Sequence, residues 1–133
     1  MKKMNPVVHF EMPAEDSNRV SEFYSKVFGW QMKMMGAEMG NYTLAITTPI
    51  DEATRQHKET GAINGGFFLK GPNTSSIPSV VISVDDIQES MKAINGSGGK
   101  VEGEPVDIPG VGAYVCFTDC EGNKLSILQP LKR

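Results

Sequence analysis

Apolar and polar residues alternate near the start of the chain, in the segment VVHFEM. This period of two predicts a β-strand with two distinct faces. One face carries apolar side chains: Val8, Phe10 and Met12. The other face carries His9 and Glu11, which lie two residues apart and therefore point the same way.

A change of period after this strand predicts an amphipathic helix. Asp16 is suited to cap its first turn, and Gly29 to end it in the left-handed conformation. Four apolar residues between them recur at helical spacing and predict one apolar stripe: Val20, Phe23, Tyr24 and Val27. Three further strands are predicted near residues 30–35, 42–47 and 63–70.

The same succession recurs in the second half of the chain. Alternation from Ser79 to Val84 predicts a strand, and Asp86 with Glu89 forms a helix-start pattern that aligns with Asp16 at an offset of 70. Asn41–Ile46 aligns with Gly112–Phe117 at an offset of 71. Strands are predicted near residues 100–104, 113–118 and 124–128, with the turn DCEGN joining the last two.

These repeats predict an α+β fold made of two tandem βαβββ modules. Module one spans about residues 5–70, a linker 71–78, and module two about 79–130, all within a single domain of residues 1–133. Module one differs by a polar insertion between its last two strands, which carries His57 and is long enough to act as a lid.

Composition excludes several classes of function. A net charge of −3, with no basic run beyond the chain ends, argues against a nucleic-acid partner. No segment is apolar enough to predict a membrane span or a signal peptide. The two cysteines do not form a disulfide framework, so a cytoplasmic location is expected, and Cys116 is predicted to be a small buried residue.

Four motifs in order resemble one known family. They are VVHFEMPAED with FYSKVFGW at the start, then GAINGGF, then SVVISVDDI followed by GSGGKV, and finally VGAYVCFTDCEGNKLSILQP. Together they resemble the vicinal-oxygen-chelate superfamily of glyoxalase I, bleomycin-resistance proteins and extradiol dioxygenases, in particular its bleomycin-resistance-like subgroup. The resemblance implies an open eight-stranded half-barrel, a small-molecule ligand on its concave face, a divalent metal in many members, and a homodimer.

The metal positions that the resemblance implies are mostly not occupied by good ligands. Carried over, the first falls on His9, the third on Ser79 and the fourth on Ser126. The strand-four position falls within residues 65–68, which offer no carboxylate or imidazole. Hydroxyls are poor donors for Ni, Mn, Fe or Zn, so no metal cofactor is expected, although Glu11 is a possible second ligand beside His9.

The face that would hold a ligand is therefore predicted to be apolar with a few polar groups. We expect the following residues to line it: His9, Glu11, Trp30, Phe67, Ser79, Val81, Tyr114 and Ser126. Strand seven could instead present the opposite set of Ala113, Val115 and Phe117, and the sequence does not decide between them.

The sequence thus predicts a glyoxalase/bleomycin-resistance-like protein that binds a small aromatic or amphipathic molecule without a complete metal site. One alternative is a metal-dependent lyase, isomerase or dioxygenase in which His9 and Glu11 serve as ligands or as catalytic residues. Another is a structural or regulatory dimer with a vestigial cleft. Glyoxalase I activity is not expected, because that reaction needs a metal and a strand-eight carboxylate base.

Overall fold

A computed structural model describes residues 3–49, 53, 61–72 and 74–132 of the chain. Residue contacts divide it into two compact units. One comprises residues 9–78, and the other comprises residues 79–133 with the residues before His9. His57 and most of the polar insertion lie outside the described residues. No helix in the described ranges is long and apolar enough to cross a membrane.

Module one contains four strands and one helix. Strand β1 pairs in parallel with β4, while β3 pairs antiparallel with both β2 and β4, giving the order β2-β3-β4-β1. A short 3₁₀ turn, Ala37–Met39, leads into β3. The elements are β1 (Val7–Ala14), α1 (Ser17–Phe28), β2 (Gln31–Met34), β3 (Thr43–Ile46) and β4 (Asn64–Leu69).

Module two repeats this plan in its own four strands. Strand β5 pairs in parallel with β8, and β7 pairs antiparallel with both β8 and β6, giving the order β5-β8-β7-β6. The elements are β5 (Ser79–Ser83), α2 (Ile87–Gly96), β6 (Lys100–Ile108), β7 (Gly112–Thr118) and β8 (Lys124–Pro130). The two predicted βαβββ modules are therefore present.

The predicted helix caps are confirmed. The Asp16 carboxylate accepts a hydrogen bond from the backbone N–H of Arg19, and that of Asp86 accepts two, from Gln88 and Glu89. Gly29 ends α1 at φ 73°, a left-handed conformation that favours glycine. The capping aspartates share the offset of 70, so the start of each module is aligned as predicted.

The predicted apolar stripe of α1 is only partly buried. Phe23 and Val27 are about half exposed, and no α1 residue is fully buried. The Tyr24 side of the helix packs on the module, where the Tyr24 ring stacks on that of Trp30 with the ring centroids 4.6 Å apart. Module two has a core of fully buried apolar residues: Val84, Ile87, Val115, Phe117 and Ile127.

Strand register defines equivalent positions in the two modules. Glu11 lies beside Gly66, and the residue 70 positions after Glu11, Val81, lies beside Ser126. Gly66 and Ser126 therefore hold equivalent places, each opposite the first strand of its own module.

The register of the next strand in each module shows that the predicted offset between the modules is wrong by one residue. The partners of Gly66 and Ser126 on the adjacent strands are Leu44 and Cys116, which lie 72 positions apart and not 71. A one-residue shift reverses the faces of a strand. With the corrected offset, Tyr42 and Tyr114 become equivalent residues.

Gly96→Ala is expected to stabilise the protein by about 0.5–1 kcal/mol, because Gly96 ends α2 without a positive φ and an added Cβ would contact nothing. The measurement is the free energy of unfolding in urea. Gly29→Ala is the matched control, since its Cβ is equally free of contacts but φ is +73°. That control should destabilise the protein, and stabilisation by both changes would contradict the explanation.

Asp119 is expected to make the β7–β8 turn sensitive to acid. Its carboxylate accepts hydrogen bonds from the Asn123 side chain and from the backbone N–H groups of Asn123 and Glu121, and these lower its pKa. A lowered folded-state pKa means that the unfolded chain takes up the proton more readily. The stabilisation of the folded state by Asp119 is therefore present above the ordinary Asp pKa. It is lost as pH falls through the lower pKa of the folded state.

Unfolding midpoints measured from neutral to acidic pH check this expectation. Asp119→Asn keeps an oxygen acceptor but no charge, so its midpoint should fall less steeply with acid than that of the wild type. Identical acid profiles for the two proteins would show that Asp119 does not couple the turn to pH.

Candidate functional site

A hydrogen-bond chain centred on Tyr42 joins the polar residues of module one. The Tyr42 hydroxyl lies 2.9 Å from Nε2 of His9 and donates to the Glu11 carboxylate at 3.2 Å. Glu11 is only 9% exposed, which is unusual for a carboxylate. The structure therefore brings two predicted site residues, His9 and Glu11, onto one phenol oxygen.

The direction of the protons in this chain follows from donor counts. An ionised carboxylate only accepts, and a tyrosine has a single O–H, so the Tyr42 proton goes to Glu11. Nε2 of His9 must then carry a proton and donate it to the Tyr42 oxygen. Burial, followed by the negative charge of Glu11 and the hydrogen bond to it, raises the pKa of Tyr42, which keeps the phenol neutral.

Two glycines on β4 have no side chain where the rings of Phe10 and Tyr42 pack against the strand. A Cβ on Gly66 would lie 2.1 Å from the Tyr42 ring, and one on Gly65 would lie 2.4 Å from the Phe10 ring. The two glycines face opposite sides of β4, so one ring covers each side. Tyr42 itself follows Asn41, whose φ of 57° turns the chain sharply after the 3₁₀ turn.

Apolar side chains share the sheet face of the Tyr42 chain. Register places Leu44 beside Gly66 and Phe68 beside Pro13, and alternation along β3 adds Ile46. Leu44, Ile46 and Phe68 are partly exposed. This face therefore combines accessible apolar surface with a small hydrogen-bonding group, the usual composition of a small-molecule site.

Trp30 and Phe67 lie in a different environment from the one predicted. Trp30 stacks on Tyr24 of α1, and Phe67 packs against the same ring at 5.2 Å. Trp30 also contacts Phe10, which alternates with His9 on β1. The structure places both aromatics with the helix and not with the His9 chain, because residues 65 and 67 face opposite to residue 66.

Module two carries a second polar cluster at the equivalent position. The Ser126 hydroxyl lies 2.7 Å from that of Tyr114 and 3.4 Å from the Cys116 sulfur. Strand seven thus presents Tyr114 and Cys116 beside Ser126, while Val115 enters the core, which settles the open alternative. Cys116 is exposed, so its predicted burial is wrong.

The remaining predicted residues of module two lie on β5. Val81 is paired in register with Ser126, and both are 2% exposed. Ser79 is partly buried and shares the face of Val81 by alternation. This face therefore offers hydroxyls and a thiol but no carboxylate or imidazole at the predicted positions.

The donor set does not fit the divalent metal that the resemblance implies. The four ligand positions hold His9, Gly66, Ser79 and Ser126, and the register now assigns the strand-four position to Gly66. As long as the Tyr42 hydroxyl donates to Glu11, the Nε2 atom of His9 has to be protonated, and a protonated nitrogen has no lone pair for a metal. Within the described ranges, no group of three or more His, Cys, Asp or Glu side chains could hold an ion.

Comparison with known proteins identifies the family. The model of the Glyoxalase/Bleomycin resistance protein/Dioxygenase superfamily matches residues 7–127. The chain belongs to this superfamily. That membership and the described modules confirm the predicted resemblance and fold class.

A curated superfamily relative covers most of the chain. It is a glyoxylase-like domain-containing protein from Didymella fabae, 27% identical over an alignment 124 residues long that covers 88% of this chain and 88% of the relative.

Solved structures show the same superfamily fold at low identity. Methylmalonyl-CoA epimerase from Mycobacterium tuberculosis has a TM-score of 0.68 at 10% identity, covering 95% of this chain and 88% of that one. A superfamily member from Vibrio splendidus 12B01 has a TM-score of 0.59 at 14% identity, covering 95% and 99%. At these identities the similarity shows the fold alone.

Tyr42 is the site residue that sequence reasoning missed. It lies just before β3, at the start of the strand predicted near residues 42–47, and it reaches His9 and Glu11 from 33 and 31 positions away. The signal that could have found it is the Gly65–Gly66 pair, since consecutive glycines in a strand mark a close approach by another group.

Proposed function

We propose that this superfamily member binds a small aromatic or amphipathic molecule on the module-one face that carries His9, Tyr42 and Glu11, without a metal ion. The observation that carries the proposal is the hydrogen-bond chain from the His9 imidazole through the Tyr42 phenol to the Glu11 carboxylate. It is a preorganised polar group on a partly apolar surface.

The chemistry of the His9–Tyr42–Glu11 hydrogen-bond chain favours a ligand with a hydrogen-bond donor. Glu11 accepts a hydrogen bond from Tyr42, and a carboxylate has two oxygens with about four lone-pair sites in all. A ligand with an amine, amide or hydroxyl group could donate to such a carboxylate, while its apolar part would cover Leu44 and Phe68. A buried carboxylate gains more from a charge-assisted hydrogen bond than an exposed one.

The metal-dependent enzyme alternative has less support from the donor set. It needs a second and third ligand beside His9, and the equivalent positions hold glycine and serine. The epimerases among the similar structures are too distant in sequence to carry their activity to this chain. The homodimer and the cytoplasmic location remain predictions.

Glu11→Gln tests the proposal directly. A panel of small aromatic amines and amides is screened by thermal shift in chelator-treated buffer, and binding constants of the hits are measured by calorimetry. A ligand that binds only the native protein raises its unfolding temperature by mass action. Because a hydrogen bond to a charged group contributes about 1.5–3 kcal/mol, the variant should bind at least about tenfold more weakly.

Glu104→Gln is the matched control, since Glu104 is an exposed carboxylate on β6 and its removal should leave binding unchanged. Unchanged binding to Glu11→Gln, or binding that requires an added metal ion, would contradict the proposal.

A further inference from the structure

We infer that Tyr42 is a specificity-determining residue that excludes cations from the module-one face, so that this face recognises its ligand by hydrogen bonds. The inference rests on the proposed function and deepens it. In this inference, the Tyr42 side chain determines whether the face binds a cation or forms hydrogen bonds with an organic ligand.

The first support is the convergence of two ligand-type side chains on a single point. An imidazole nitrogen of His9 and a carboxylate oxygen of Glu11 lie 2.9 and 3.2 Å from the Tyr42 oxygen. Bonds from Zn²⁺ to such atoms are about 2.0–2.2 Å long, so a shift of roughly 1 Å by each side chain would bring both into coordination range. Tyr42 occupies the position that a shared cation would take.

The second support is the state of the His9 nitrogen. Coordination needs a deprotonated imidazole nitrogen, whereas Nε2 donates its proton to Tyr42 as long as Tyr42 donates to Glu11. A cation would have to break both hydrogen bonds in order to bind. The Tyr42 hydroxyl therefore competes with a cation for both side chains at once.

The third support is the space above Gly66. The Tyr42 ring covers this residue so closely that a Cβ would lie 2.1 Å from it. A ligating side chain cannot be added at position 66 while Tyr42 is in place. The same ring thus fills the third position from which a donor on β4 could approach the point between His9 and Glu11.

The equivalent tyrosine of module two provides an internal comparison. The Tyr114 hydroxyl contacts a hydroxyl, that of Ser126, and a thiol, that of Cys116. Neither is a strong ligand for a hard divalent cation, so Tyr114→Phe is a control for the loss of a tyrosine hydroxyl in itself.

The test is a calorimetric titration of the full chain with Zn²⁺ and, separately, with Ni²⁺. Tyr42→Phe keeps the ring over Gly66 and removes only the hydroxyl, and circular dichroism checks that it folds. We expect its affinity for these ions to exceed that of the wild type by about tenfold, the effect of removing one competing hydrogen bond to a charged group. Tyr114→Phe should bind like the wild type.

A second variant tests whether any gain in metal affinity arises between His9 and Glu11. Tyr42→Phe combined with Glu11→Gln should lose the added affinity, because an amide is a weaker metal ligand than a carboxylate. A gain that survives this change would overturn the inference, as would equal affinities for wild type and Tyr42→Phe.

The outcomes also separate this inference from the proposed function. Weak metal binding by both proteins would leave the metal-free proposal standing and remove the role of Tyr42. Tight stoichiometric binding by the wild type, lost on His9→Gln, would overturn both.

Discussion

Phe67→Ala is expected to lower the free energy of unfolding by about 3–5 kcal/mol, the largest loss of any change considered. Phe67 is 3% exposed and lies in β4 between Met12 on β1 and Thr43 on β3. Its ring packs on Tyr24, which links the sheet to α1. Truncation would leave a cavity beneath the helix, where dispersion contacts are lost on every side.

Urea unfolding followed by circular dichroism measures this loss. Phe23→Ala is the matched control, since Phe23 contacts the same Tyr24 ring but is 53% exposed, and it should cost far less. Equal losses from the two changes would show that the Tyr24 side of the helix is not the packed side.

Gly66→Ala is expected to destabilise the protein by about 1–3 kcal/mol and to break the Tyr42 hydrogen-bond chain. The added methyl would overlap the Tyr42 ring, whose oxygen is held by His9 and Glu11 and cannot move without losing both bonds. Gly71→Ala is the control, because its Cβ would make only an ordinary contact at 3.9 Å.

A double-mutant cycle separates this overlap from a general intolerance of side chains on β4. In a Tyr42→Ala background the clash is absent, so Gly66→Ala should cost much less than it does in the wild type. The same cost in both backgrounds would contradict the proposed packing of Tyr42 on Gly66. The measurement is again the free energy of unfolding in urea, for all four proteins of the cycle.

Local features of the chain were predictable because they depend on neighbours in sequence. Asp16, Asp86 and Gly29 act through backbone groups within four or five residues, and all three hold the predicted positions. The alternation of His9 and Glu11 likewise placed both side chains on one face. These are short-range properties of a helix end or a strand.

Side-chain faces on later strands were harder to predict because they depend on register. Module two has one more residue before β7 than the predicted alignment allows, so the offset between β3 and β7 is 72 and not 71, and the sequence does not show where this residue enters. Trp30 and Phe67 were assigned to the ligand face for want of such information, and they pack on the helix side. An alternating pattern shows which residues share a face of a strand, but it does not show which of the two faces points inwards.

Tyr42 escaped prediction for a different reason. Its role depends on long-range contacts with β1 and on the absence of a side chain at Gly66, neither of which alters the local pattern around Tyr42. Family resemblance also directed attention to the positions of the metal ligands. It gave no indication of the residue that stands between them.

The most direct test of the Tyr42 chain is the protonation of the His9 ring, read from a long-range ¹H–¹⁵N spectrum of the wild-type protein with and without Zn²⁺. The chain has two histidines, so His57→Gln assigns the signals. At alkaline pH, where an ordinary imidazole is neutral, we predict the Nε2–H tautomer of His9, unchanged by the metal. An unprotonated Nε2 that shifts on addition of Zn²⁺ would contradict a hydrogen-bonded, metal-free site.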